Sequence, residues 1–169
     1  MEMPVFTIRG KNHRERGVDY GVQCKELIQG VLERYIRFFN GGHTAVSWDE
    51  AKVISKEFLP FIHSYSPELL DELEGIAQGA DVEFDDLLTL NSRSEAMTLV
   101  RRPPSDKEEL DGCSSVAVLP DASANGHTIL AQNWDTYTWQ EYGTVILQIL
   151  RDDGPDLMIV TEAGQLARY

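Results

Sequence analysis

Asp111-Gly112-Cys113-Ser114-Ser115 is where the chain changes character. A charged, proline-containing segment from Arg101 to Asp111 precedes it, and strand-like sequence follows it abruptly. A thiol is a nucleophile in its thiolate form, and a cysteine that becomes a chain N-terminus by cleavage of the preceding bond gains its own α-amine as a base. Gly112 suits such a cut, because without a side chain the peptide can bend the Cys113 sulfur onto the Gly112 carbonyl. The same pentapeptide admits a second reading, in which Cys113 is a small hydrophobe buried at the start of a strand.

Upstream of this junction the periodicity is helical. Val5 to Gly10 reads as one short strand, after which Asn12 can cap a helix whose apolar stripe runs through Cys24, Leu27, Ile28, Val31, Tyr35 and Phe38 to a stop at Asn40-Gly41-Gly42. Ser47 with Glu50 forms a capping box for a helix through Val53, Ile54 and Phe58 that should stop at Pro60. Ser66-Pro67 opens another, with Leu69, Leu70, Leu73 and Ile76 on one face before Gly79, and a last helix should cover Phe84 to about Met97. Residues 101–109 carry charge, paired prolines and no periodicity, which predicts an exposed connection.

Downstream, Cys113–Leu119, Thr128–Trp134, Thr144–Leu150 and Leu157–Thr161 are β-rich runs separated by turns at Pro120 to Gly126, Tyr142-Gly143 and Asp152 to Pro155. Successive hairpins predict an antiparallel sheet. The fold class is therefore α+β, with a helical part over residues 1–112 and an antiparallel sheet over 113–169. Gly164 to Tyr169 reads as a turn entering a further strand, so the chain is expected to be a fragment or shortened product of a longer gene.

Composition narrows the class. Fifteen basic against 28 acidic residues give a net charge of −13, which repels phosphate backbones and anionic lipid, so neither nucleic acid nor membrane is an expected partner. Two cysteines, Cys24 and Cys113, make no disulfide framework or metal cluster, and Cys24 lies on the apolar stripe of the first helix as inert core. The start, Met1-Glu2-Met3-Pro4, has no signal-peptide pattern, and a soluble, reducing, intracellular compartment (cytoplasmic or peroxisomal) fits. His13, His43, His63 and His127 have no ligand-like spacing, and no metal or cofactor is expected.

Five strings carry a resemblance. Asp111 to Ser115, Gln132-Asn133-Trp134-Asp135, Ile159 to Gly164, Gly75 to Ala80 and Leu90 to Glu95 resemble, in order, the acyl-coenzyme A:isopenicillin-N acyltransferase family, a branch of the N-terminal-nucleophile hydrolases. The resemblance implies a precursor that cuts itself between Gly112 and Cys113, leaving a helical α chain and a β chain that begins with the catalytic cysteine. It also implies the αββα four-layer sandwich, incomplete here. In turnover Cys113 would take an acyl group from a small N-acyl amide or a thioester, acyl-coenzyme A being a possible donor, and pass it to an amine or water. The partners it implies are that small molecule and the two chains themselves. The other class of reading is a truncated or uncleaved relative, a non-catalytic binding or regulatory protein.

Among the remaining residues Asp135 stands out, at the end of a strand paired through a hairpin with the one beginning at Cys113. By resemblance it binds the amine-bearing substrate, which suits a carboxylate facing an ammonium or amide N–H; the competing reading is that it only caps the turn into Thr136. Asn133 can donate to an oxyanion or satisfy neighbouring backbone, and Ser115, two residues after the cysteine, points to its side of the strand and matches a hydroxyl residue of the family. Arg93 and Glu95 are supporting candidates or a surface ion pair. Trp134 and Trp139 read as core or pocket wall. Two departures put a β-lactam precursor in doubt as substrate: the turn after Leu119 is longer than in penicillin-making members, and Val118 stands where those carry a second cysteine. The family's oxyanion-holding asparagine would lie beyond Tyr169.

Overall fold

The computed structural model describes residues 3–99, 113–152 and 154–166. The expected connection over 101–109, the bond after Gly112 and the end of the chain after Leu166 lie outside these residues. The chain divides into two compact units, Met1–Arg102 with Gln140–Tyr169, and Pro103–Trp139. Among the described residues no helix is long and apolar enough to cross a membrane.

In the larger unit, strand β1 (Val5–Ile8) leads into helices α1 (His13–Gln23) and α2 (Lys25–Phe38). Asn12 caps α1, its side chain accepting the Glu15 N–H at 2.8 Å. The single helix read from the sequence bends at Cys24 (φ −106°, ψ 14°), although the Cys24 N–H still bonds Tyr20 C=O. Cys24, Ile28, Val31, Leu32 and Tyr35 are buried as one stripe, and Gly42, at φ 78°, ends the turn that follows α2.

Helix α3 (Trp48–Lys56) starts with the expected capping box, in which Ser47 and Glu50 bond each other's backbone. Its buried face differs from the expected Val53, Ile54 and Phe58: Trp48, Ala51 and Ser55 face inward, and Val53 is exposed. The reason is tertiary. The Trp48 indole packs edge-on against Phe39 and donates to Asp86 at 2.9 Å, while Lys52 reaches the same carboxylate at 2.7 Å. Pro60 sits in the first turn of a further helix, α4 (Leu59–Tyr65), where its missing N–H costs nothing; it does not stop a helix.

Helix α5 (Pro67–Ala80) begins at Pro67 but runs past Gly79 and ends with Asp81 in the left-handed region at φ 56°. Gly79 serves packing instead of termination. It belongs with Gly75 on α5 and Gly17 and Gly21 on α1, where a side-chain carbon would lie 2.1 to 2.4 Å from a backbone oxygen of the facing helix. The two helices therefore touch backbone to backbone, flanked by Arg14–Glu74 and His13–Glu72 contacts at 2.5 and 3.0 Å. The last helical stretch is likewise two helices, α6 (Phe84–Asn91) and α7 (Arg93–Leu99), separated at Ser92, whose hydroxyl is shared with Leu88 C=O and Ser55 Oγ.

The strands form two sheets, not one. In the smaller unit, β2 (Ser114–Val118) and β3 (Ile129–Asn133) make an antiparallel hairpin with Ser114 opposite Asn133. In the larger unit, β4 (Thr144–Ile149) pairs antiparallel with β5 (Leu157–Glu162), and β1 joins the other edge of β4 in parallel, Val5 opposite Ile146 and Ile8 opposite Ile149. The expected purely antiparallel sheet is thus corrected to a mixed one, because a parallel neighbour must arrive by a crossover and α1–α7 supply it. Val145, Leu147 and Ile149 alternate inward onto the core that Ile28, Leu73, Ile76, Leu87 and Leu90 complete.

Gly75→Ala drives a carbon to 2.3 Å from Arg14 C=O, where neither backbone can yield. Urea denaturation should show a loss of roughly 3 kcal/mol, at the upper end for overpacking in a closed interface.

Candidate active site

Cys113 precedes β2 by one residue and Asp135 follows β3 by two, so the hairpin register carries both to one end of the smaller unit. The thiol meets the backbone of Asp135 twice. Cys113 Sγ accepts the Asp135 N–H at 3.3 Å and faces the Asp135 carbonyl oxygen at 3.7 Å. Asn133 grips the carboxylate, its Nδ2 donating to both oxygens of Asp135 at 3.0 and 3.1 Å. Cys113 is exposed, so the reading as a buried hydrophobe does not describe it here. Ser115 also lies on β2, opposite Gln132, and is exposed. Tyr137 and Trp139 stack two and four residues beyond Asp135, ring centres 5.8 Å apart.

This arrangement offers a sulfur with an N–H aimed at it, the partner an anionic sulfur takes, beside a carboxylate fixed in orientation. Cys24 is its opposite. Burial, with a smaller contribution from Asp19, pushes that thiol up to about 12, and it lies 1% exposed within the core. Iodoacetamide applied to the folded chain should therefore label Cys113 well ahead of Cys24, and peptide mapping reads the ratio directly.

Arg93 is not paired with Glu95. It turns inward from α7 to Glu162 at the end of β5, Nη2 to Oε2 at 3.4 Å, while Glu95 is exposed. Around Glu162, itself inaccessible to solvent, the larger unit builds a polar cluster that the sequence did not disclose. Glu162 Oε2 accepts from the Tyr35 hydroxyl at 2.8 Å and from Gln165 Nε2 at 2.7 Å, and Gln140 Nε2 lies 3.5 Å away. The Tyr35 hydroxyl in turn accepts from Arg93 Nε at 2.9 Å and from Gln140. Glu162 Oε1 has no hydrogen-bond partner among the described residues. The one sequence signal was a carboxylate ending a β-run directly before Ala163-Gly164, where a solvated residue is the ordinary expectation.

No family model matches the chain. Curated relatives do. Over 155 residues it is 29% identical to the acyl-coenzyme A:6-aminopenicillanic-acid-acyltransferase 40 kDa form of Emericella nidulans, covering 89% of this chain and 40% of that protein. The chain resembles the penicillin acyltransferase-like family. Over 158 residues it is also 28% identical to the β-alanyl-dopamine/carcinine hydrolase of Drosophila melanogaster, covering 89% of this chain and 38% of that protein. The chain thus spans about two-fifths of the length of the curated relatives it matches. The resemblance read from the five strings and the similarity over 89% of the chain point to the same family.

Burial, outweighing the opposing effects of Arg93 and of the hydrogen bonds from Tyr35, Gln140 and Gln165, holds the Glu162 carboxyl above its usual range. The folded state then keeps this proton to higher pH than the unfolded chain. Its contribution to stability is present below the ordinary carboxylate value of about 4.3 and is lost as pH rises through the raised one. Since glutamine does not titrate, the stability of the native chain relative to Glu162→Gln should fall over that window, by at most about 1.4 kcal/mol per pH unit, in denaturation curves taken at successive pH values.

Proposed function

We propose that this chain is the N-terminal part of a self-cleaving cysteine acyltransferase or amidohydrolase with the N-terminal-nucleophile αββα architecture. The observation that carries the reading is the contact of the Cys113 sulfur with the Asp135 backbone, beside a carboxylate held by Asn133. Similarity over 89% of the chain to one acyltransferase and one amide hydrolase supports it.

In the first step the Cys113 thiol attacks the Gly112 carbonyl carbon. A C–S bond forms as the C–N bond breaks, the proton passes to the departing amine, and the peptide becomes a thioester. Water then adds to that carbonyl, leaving a carboxylate on Gly112 and a free thiol on a Cys113 that is now N-terminal. Its own α-amine serves as base thereafter. In turnover the sulfur attacks the acyl carbon of a small N-acyl amide or of a thioester such as acyl-coenzyme A, and the amine or thiol departs with a proton. The acyl-sulfur bond is next broken by water or by an acceptor amine, which restores the thiol.

Asp135 recognises the amine portion. A carboxylate whose two oxygens already accept from Asn133 keeps lone pairs for an ammonium or amide N–H, and the grip fixes their direction. Ser115 and Asn133 support the site from the two strands of the hairpin. Glu95 is exposed and is given no part in the chemistry. The oxyanion donor, typically responsible for about 100- to 1000-fold of rate, is assigned to the part of the relatives' length that this chain does not span.

Intact mass spectrometry tests the reading. The protein expressed with its full-length continuation should appear as two chains divided between Gly112 and Cys113, and Cys113→Ala should leave one. A native protein that stays whole under conditions that process a relative would favour the non-catalytic alternative.

A further inference from the structure

The larger unit holds an open cleft of about 800 Å³ that none of Cys113, Ser115, Asn133 and Asp135 lines. Its volume falls within the roughly 300 to 1,000 Å³ of small-molecule sites. Helices α4 and α5 wall it with Ile62, Leu69, Leu70 and Leu73, α6 adds Leu88, and Leu166 follows β5. Helix α4 buries none of its residues, and Ile62, Leu69 and Leu70 are only half-buried. In a chain with 28 acidic and 15 basic residues, no Asp or Glu among the described residues lines this cleft, whereas His13 and Arg151 do. The other polar side chains there are committed elsewhere. Asn91 bonds Leu87 C=O, Gly164 C=O and the Leu166 N–H, the Ser92 hydroxyl bonds Ser55 and Leu88, and Ser66 donates to Glu68. His13 and Arg151 reach one end of the cleft through the backbone. The Leu150 N–H bonds Ile8 C=O at 3.0 Å, so Arg151 leaves β4 beside the connection that runs from β1 to His13 at the start of α1. His13 Nδ1 meets the buried Glu72 carboxylate at 3.0 Å, which fixes the ring and leaves Nε2 as the atom for a ligand.

We infer that this cleft binds a small apolar monocarboxylate, with its hydrocarbon part along the leucine wall and its head at Arg151 and His13. Burial of the hydrocarbon drives binding without choosing a head. The two cationic side chains make the choice. A guanidinium fork matches a carboxylate with charge-assisted hydrogen bonds, and in its imidazolium form His13 donates a further one from Nε2 while Glu72 balances the charge at Nδ1. An ammonium head would meet like charge at Arg151, and an uncharged head would forgo the charge-assisted bonds. Arg151 also borders a polar groove whose carboxylates include Asp19 and Asp156. Those already accept hydrogen bonds, Asp19 from the Arg9 N–H and Gln23 Nε2, and Asp156 from the N–H of Arg151 itself. The site is built from the larger unit alone, so it stands whether or not Cys113 reacts.

Nonanoate and 1-nonanol, which share a hydrocarbon chain and differ in the head, test the assignment by isothermal titration calorimetry. The full chain is titrated with Cys113→Ala in place, so that no acyl chemistry at the thiol contributes and this test fails separately from that of the proposed function. Nonanoate should bind about 10-fold or more tightly than nonanol, the range expected for hydrogen bonds to a charged group. Arg151→Met, which keeps an apolar stem and removes the charge, should raise the dissociation constant of nonanoate by about 10-fold and leave that of nonanol within about 2-fold. A merely structural role for Arg151 would move both ligands together. Leu70→Trp, which fills the leucine wall, should weaken both. Circular dichroism checks that the variants are folded, and if Leu70→Trp is not, the Arg151→Met comparison decides. Absence of nonanoate binding, equal affinity for the acid and the alcohol, or equal loss of both in Arg151→Met would overturn the site and leave the cleft a plain apolar seat for further chain or a second copy.

Discussion

At the centre of the larger unit the backbones of α1 and α5 approach so closely that a side-chain carbon at Gly17 would lie 2.1 Å from the Glu72 carbonyl oxygen. Four glycines, two on each helix four residues apart, remove the side chains that would hold the axes at the usual 8–10 Å or so. The consequence extends along both helices. Tyr20 is carried to where its hydroxyl meets the Gly164 N–H, and α5 brings Leu73 and Ile76 onto the core. Glu72 is buried against His13 by the same approach. Packing this tight leaves no room for even one added methyl group.

Onto that helical pair the unit adds a mixed sheet whose members come from both ends of the sequence. Among the described elements β1 is the first and β4 and β5 the last, so the sheet joins segments far apart in the sequence. A parallel pair with a long crossover has a high entropy of closure, and the buried Glu162 cluster adds a polar match to the apolar one. Removing its polar groups from water is costly, which makes it a poor source of raw stability.

The hairpin unit places a thiol where chemistry rather than packing governs it. Cys113 and Cys24 are the same residue type in opposite settings: one in the core with its thiol pushed up, the other exposed with a backbone N–H turned toward its sulfur. The contrast has a plain cause. Cys24 stands on the buried stripe of a helical bend, and Cys113 stands before the first residue of a strand, where the ladder has not begun and the side chain takes the hydrogen bond instead.

Local signals were legible wherever neighbours in sequence decide the structure. The Asn12 cap, the Ser47–Glu50 box, Pro67 at a helix start and the pairing of the runs on either side of Asn125-Gly126 all depend on spans of a few residues, as does the arrival of Cys113 and Asp135 at one hairpin end. What escaped the sequence depends on distance. Which face of α3 turns inward is decided by Phe39 and Asp86, and the task of Gly75 and Gly79 by a helix some 60 residues earlier. Arg93 chose Glu162, 69 residues away, over Glu95, which lies two residues away. A propensity or a cap is written in the chain because its energy is local, whereas the partner of a buried charge is settled only when the folded chain removes water from both at once.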